Sequence, residues 1–175
     1  MRPIFDRLIS FVAIFVCLLS CSQVSPPIIF SNSTDSSKTA VFPAPQIPAE
    51  YSCVPSHNKR EMAFVKKVID GDSILVEMNS ELIEIRYVGI NAPEFGGPQE
   101  RAAQIALEAN RNLVLGKTIW MVRDVRDRDK YHRLLRFVFV GDLFVNLELV
   151  KQGVAQVQDY PPDTSCQTLF RKYAP

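Results

Sequence analysis

Three apolar runs separated by two short turn signals constrain the fold of this chain more than any other feature. Residues 63–68 and 73–78 are rich in β-branched and apolar side chains and are joined through Asp70-Gly71, and Asn79-Ser80 then turns the chain into a third run over 81–90. An Asp-Gly pair between such runs is a hairpin signal, because both residues tolerate the backbone angles of a tight turn. In the third run Ile83, Ile85 and Tyr87 alternate with Glu84, Arg86 and Val88, so Arg86 is expected to face away from the wholly apolar side. Pro93, Gly96, Gly97 and Pro98 make a loop. Residues 99–115 read as a helix with Ala102, Ala106, Ala109 and Leu113 at helical spacing and Gly116 as its end. Residues 117–125 and 134–140 read as strands, with a turn at Gly141-Asp142. A short helix follows, carrying Leu147 and Val150, with Asn146 as its expected cap and Gly153 as its stop. A last helix is expected to begin near Thr164.

Reactive side chains concentrate in and after the third run. Asp72 lies just past the Asp-Gly turn, Arg86 sits inside an apolar run, and Asn91 and Glu94 flank Pro93. A divalent cation needs hard oxygens, a phosphate suits a guanidinium fork, and hydrolysis of a phosphodiester needs a base for water. Taken singly, each residue also has an ordinary reading. Asp72 can be a turn aspartate, Glu94 a solvated loop residue, and Arg86 and Arg133 members of surface ion pairs. The basic run Arg123, Arg126, Arg128, Lys130, Arg133 and Arg136 is interrupted by Asp124, Asp127 and Asp129. The whole chain has 20 basic and 19 acidic residues, so a long-range field that attracts polyanions is excluded and any such binding is local.

Taken together, Asp70-Gly71-Asp72-Ser73, Arg86 fourteen residues after Asp72, Asn91-Ala92-Pro93-Glu94 and Asp129-Lys130-Tyr131-His132-Arg133 resemble the signature of the thermonuclease (staphylococcal nuclease-like) family. The resemblance runs from about residue 65 to about residue 173. It implies an α+β, mainly β fold, a five-stranded OB-fold barrel with about three helices, which the order of strands and helices also fits. It implies Ca2+ held by Asp72, Asn91 and the backbone carbonyl of Ala92, with Glu94 as general base and Arg86 and Arg133 clamping the phosphate. Lys130, Tyr131 and Tyr160 would contact the nucleic acid. The implied substrate is DNA or RNA, preferably single-stranded, acted on by a monomer. Three positions depart from the family pattern. Asn91 stands where a second aspartate is usual, which lowers the expected Ca2+ affinity; Ala92 replaces a threonine; and His132 replaces a glycine. Family members also continue the last helix beyond the point where this sequence stops, so a shortened helix is expected. The competing expectation is a non-catalytic barrel that binds nucleic acid or oligosaccharide.

Residues 1–21 read as an export signal, with Arg2 and Arg7 before an apolar stretch over 8–19 that is too short to span a bilayer comfortably. Leu18-Leu19-Ser20-Cys21 resembles the lipobox of bacterial lipoproteins, with Cys21 acylated; ordinary cleavage after Ser22 is the rival. Either way the protein is expected outside the cytoplasm, as a lipoprotein that touches a membrane only through its lipid anchor or otherwise as a secreted protein. Residues 22–52, rich in Ser, Thr and Pro, read as a linker before a domain over 53–175. In an oxidising compartment Cys53 and Cys166 are candidates for a disulfide, the alternative being two free thiols. Without a Cys-x-x-Cys pair a zinc site is not expected.

Overall fold

The structure is a computed structural model and describes residues 46–175. The export signal, Cys21 and the linker up to residue 45 lie outside the described residues. A short 3-10 turn, Ala49–Tyr51, leads into the strands β1 (Arg60–Val68), β2 (Ser73–Met78) and β3 (Glu81–Tyr87). Next come β4 (Ile90–Asn91), α1 (Glu100–Val114), β5 (Thr118–Val122), β6 (Leu134–Val140) and β7 (Leu143–Phe144). The chain then runs through α2 (Val145–Lys151), β8 (Gln156–Val157) and α3 (Gln167–Tyr173).

Strand β1 pairs antiparallel with β2 and with β5, β2 pairs with β3, and β5 with β6. The ring closes where β6 meets β3 in parallel, Ile85 opposite Leu134 and Arg86 opposite Leu135. The result is a closed five-stranded barrel with three α-helices, mainly sheet, of the OB type expected from the sequence. Closure leaves the five barrel strands without an open edge. Buried residues of β1 follow the order Ala63, Val65, Val68, a step of two and then three. The register against β2 breaks between Val65 and Lys67, so Lys66 is the extra residue of a bulge that returns Val68 to the core.

The two turn signals do different work from one another. Asn79 and Ser80 both take positive φ, 52° and 67°, and form the tight turn between β2 and β3. Gly71 is not left-handed, and its requirement is space: a Cβ there would lie 2.5 Å from Ala92 Cβ and 2.6 Å from Ala106 Cβ. The segment before β2 is therefore clamped between α1 and the residue after β4.

Two sequence expectations need correction. The buried positions of α1 are Ala103, Ala106, Asn110 and Val114; of the expected stripe Ala106 is buried, Ala109 and Leu113 are half-buried against the core, and Ala102 is exposed. The alanine-rich pattern misled because a polar residue, Asn110, occupies the centre of the inward face. Asn146 does not cap α2, whose N-cap is Phe144. It is fully buried within the helix, where Oδ1 accepts the Val138 N–H at 2.9 Å and Nδ2 donates to the Val88 carbonyl at 2.9 Å.

The ordered domain also begins before Cys53, so the linker expected over 22–52 ends earlier. Tyr51 is buried against Phe144 and Phe139, and Ile47 packs on the core. Cys53 and Cys166 form a disulfide, tying this segment to the start of α3. Although α3 is short, its Phe170 is completely buried and lies against Gly89, where a Cβ would come within 2.7 Å of the ring. Among the described residues no helix is long and apolar enough to cross a membrane. Replacing Asn146 by alanine leaves two buried backbone groups unpaired and should lower stability by about 2–4 kcal/mol. Urea denaturation measures this, and a loss below about 1 kcal/mol would mean that the bridge between Val88 and Val138 is dispensable.

Candidate active site

A cleft of about 390 Å3 opens where β3 runs out into β4. Asp72, Arg86, Asn91, Ala92, Glu94, Lys130, Tyr131, Arg133 and Tyr160 all line it, so every sequence-predicted metal, catalytic and nucleic-acid residue meets in one place. They come from separate parts of the chain: the turn before β2, strand β3, the loop after β4, the loop before β6 and the turn after β8.

The cleft is organised around Arg86. Its side chain is only 11% exposed, and Nη1 lies 3.1 Å from Asp72 Oδ1 while Nη2 donates to Asn91 Oδ1 at 2.8 Å. Nη1 also donates to the carbonyls of Tyr87 and Ile90, at 3.0 and 3.1 Å, which fixes the β3–β4 corner on the guanidinium. Asp72 is buried, with Oδ2 accepting the Ala92 N–H and Oδ1 the Ser73 hydroxyl. Burial pushes its carboxyl up to about 7, with Arg86 and the Ala92 amide pulling the other way and Asp70 adding to the rise. The observed contact of Ala92 is thus through its amide. The segment carrying Asp72 is braced from behind. Its amide donates to Asp70 Oδ1 at 2.9 Å, and Asn110 of α1 donates to the Asp70 carbonyl at 2.9 Å while accepting the Tyr87 hydroxyl at 2.9 Å.

A divalent cation fits this donor set. Asp72 Oδ1 and Asn91 Oδ1 already converge on one positive charge, the guanidinium that bridges them, and both are hard oxygens. Among the described residues no three His, Cys, Asp or Glu side chains gather at one point, so protein carboxylates would supply only part of the coordination.

The opposite wall is a turn built on Asp129. Its Oδ1 accepts the backbone N–H groups of Tyr131 and Arg133, at 2.9 and 3.0 Å, and its Oδ2 accepts Arg133 Nε at 2.7 Å. Burial alone would raise the Asp129 pKa, but these donors hold it below the ordinary carboxylate range. The turn needs a left-handed residue, and His132 takes that position at φ 68°. Without a glycine there, this conformation costs about 1–2 kcal/mol. Arg133 Nη1 also approaches Glu84 Oε1 at 3.7 Å. Tyr131 is 65% exposed, with Lys130 Nζ 4.9 Å and the Arg133 guanidinium 5.4 Å from its ring centre.

Glu94 stands on the exposed loop after Pro93 and has no hydrogen-bond or ion-pair partner among the described residues. Tyr160 donates its hydroxyl to Asn91 Oδ1 at 3.3 Å. Sequence reasoning missed Asp70 and Asp163, which also line the cleft, and Asn110 behind it, and it read Arg126, another lining residue, only as one member of the basic run. Asp70 was visible beside Asp72 but read as part of a turn. The partners of the others lie tens of residues away, and no local pattern announces them.

Comparison with known proteins adds an independent observation. The family described as "Staphylococcal nuclease homologue" matches residues 84–174, a span that contains Arg86, Glu94 and Arg133 and begins after Asp72. A thermonuclease of Staphylococcus intermedius is 29% identical over 115 residues, covering 64% of this chain and 68% of that protein. Endonuclease YncB of Bacillus subtilis is 33% identical over 124 residues, 66% of this chain and 59% of its own length. The SPbeta prophage-derived endonuclease YokF of the same organism is 34% identical over 111 residues, 61% of this chain and 38% of that protein.

The raised pKa of Asp72 sets the sign of a pH effect. Unfolded chains release this proton near the ordinary carboxylate value, whereas the folded protein holds it until about 7. Asp72's contribution to stability in chelator should therefore be fully present below about pH 4 and be lost as pH rises through about 7. Asp72→Asn should lack this loss. Urea melts of both proteins across that range test it, and a difference between them that does not change with pH would contradict it.

Proposed function

This chain belongs to the staphylococcal nuclease homologue family, and on that footing we propose that it is an exported, Ca2+-dependent phosphodiesterase that cuts nucleic acid with Glu94 as general base. A contrast inside the cleft carries this reading. Asp70, Asp72, Asp129 and Asp163 are each engaged by backbone amides or a guanidinium, whereas Glu94 is without such a partner among the described residues. A carboxylate saturated by donors is a poor proton acceptor, and an unpaired one at the rim of the cleft is free to serve water.

Glu94 takes a proton from the attacking water as its oxygen bonds to phosphorus. The charge that builds on the phosphoryl oxygens falls to Arg86 and Arg133, whose planar forks match them better than lysine would. The ester P–O bond then breaks, and the leaving oxygen takes up a proton from solvent. A Ca2+ ion held by Asp72, Asn91 and the Ala92 carbonyl would supply Lewis-acid neutralisation of the phosphate. Arg86 serves two sets of partners. Donating to phosphate releases the oxygens of Asp72 and Asn91, so phosphate and metal binding reinforce one another. Asn91 in place of an aspartate keeps metal affinity modest. The exposed Tyr131 and Tyr160 suit base stacking along a single strand of DNA, or RNA, with little sequence preference. The basic start, short apolar stretch and lipobox-like end of the first residues support a protein held to a membrane through acylated Cys21.

A non-catalytic binding barrel is favoured by one observation, the absence of a three-acid cluster among the described residues. The two readings separate on single-stranded DNA. The wild type should degrade it with Ca2+ and stop in chelator, and Glu94→Gln should lower kcat by about 10²–10⁴-fold while binding persists. Chelator-insensitive binding without cleavage by the wild type would overturn the hydrolytic reading.

A further inference from the structure

The cleft extends past the residues that hydrolysis uses, and its far wall is built around a second ion pair. Asp163 is 2% exposed, yet its carboxylate is fully engaged there. Oδ1 accepts the amides of Val125 and Arg126 at 3.0 and 2.8 Å, and Oδ2 accepts Arg126 Nε at 2.6 Å. Arg126 Nη2 donates in turn to the Tyr160 carbonyl at 3.1 Å. Sinking a carboxylate this far has a desolvation cost that a half-exposed partner does not obviously offset, so stability alone is a weak reason for the pair. What the arrangement does achieve is orientation. One edge of the guanidinium is pinned, and both Nη1 hydrogens and one on Nη2 have no partner among the described residues, on a side chain that lines the cleft.

Tyr160 connects this wall to the reaction centre. Its carbonyl holds Arg126 while its hydroxyl reaches Asn91, which is itself bound to Arg86. The two guanidinium groups are therefore linked through one tyrosine and line the same cleft, as groups serving different phosphates of one strand must. A pinned planar fork with free parallel N–H groups is the geometry that phosphate oxygens take in bidentate fashion.

We propose that Arg126, oriented by Asp163, is a second phosphate-binding site that takes the phosphodiester next to the one being cut. The substrate it selects is a strand with consecutive phosphates rather than an isolated phosphate ester. This rests on the reading of the cleft as a nucleic-acid site, and it adds a residue outside the set that performs hydrolysis.

The test is a coupling cycle read by binding. Fluorescently labelled single-stranded DNA trinucleotides, fully charged or with one or the other linkage replaced by a neutral methylphosphonate, are titrated with full-length Glu94→Gln protein in Ca2+. The same titrations are run after adding Arg126→Ala or Arg126→Lys. On the fully charged strand Arg126→Ala should weaken binding about tenfold and lower the salt slope by about one. On the strand whose flanking linkage is already neutral it should change nothing, so the two losses do not add. Arg126→Lys keeps a positive charge for Asp163 but loses the fork. It should show the same loss at an unchanged melting temperature, which separates a missing contact from a collapsed wall. Equal losses on all three strands, or none on any, would overturn the proposal. Cleavage by the wild type is scored separately. Coupling without cleavage leaves the second phosphate site standing and removes the hydrolytic reading; cleavage without coupling does the reverse.

Discussion

The guanidinium of Arg86 holds together parts of the chain that otherwise have little reason to meet. It satisfies a buried carboxylate from the turn before β2, an amide from β4 and two backbone carbonyls at the corner between β3 and β4. Without it Asp72 would be a buried charge with only amide and hydroxyl donors around it, a state that proteins avoid by neutralising the group. The parallel closure of the barrel puts Arg86 where it can do this, because β3 meets β6 at this position with Leu135 opposite. Barrel topology and site chemistry are thus tied at one residue. A buried ion pair of this kind is weak evidence for stability, since an apolar replacement often serves as well. The pair is better suited to be a charge arrangement that a ligand can exchange.

Around that centre, the cleft walls are fixed by carboxylates that bind backbone amides. Asp129 ties down Tyr131 and Arg133, and Asp163 ties down Val125 and Arg126. Each also takes the Nε of an arginine, Arg133 from Asp129's own loop and Arg126 from across the cleft for Asp163, so the loop that carries the basic run is held where it faces the cleft and its charge is locally balanced. Arg136 strengthens the same loop from the barrel side, paired with Glu61 at 2.6 Å and Asp127 at 2.7 Å while almost fully buried. This explains how a chain with almost no net charge can still present ordered guanidinium groups to a polyanion. The disulfide and Phe170 hold α3, and with it the segment after Tyr160, against the barrel.

Much of this was legible in the sequence, for identifiable reasons. Strands β2 and β6 fall where their apolar runs lie, because a barrel strand advertises itself by local composition. The meeting of Asp72, Arg86, Asn91, Glu94 and Arg133 followed from motif resemblance and not from any local pattern. What stayed hidden were polar residues whose partners lie far along the chain. Asn110 reads as an interruption of an alanine stripe, yet it is the brace between α1, Tyr87 and the Asp70 carbonyl. Asn146 reads as a helix cap, yet it bridges β6 to the end of β3 from within α2. Gly71 was read as a turn residue, although its role is the absence of a side chain between Ala92 and Ala106. Local rules assign such residues to their commonest local role, and a closed barrel gives them a different one.

Whether Arg86 is shared between a phosphate and the Asp72 and Asn91 oxygens proposed to hold Ca2+ is tested most directly by a calorimetric titration of Ca2+ into Glu94→Gln protein. With a saturating single-stranded oligonucleotide present, the Ca2+ dissociation constant should fall by at least about tenfold relative to protein alone, because the guanidinium has moved off Asp72 and Asn91. Identical Ca2+ affinity with and without the strand would contradict it.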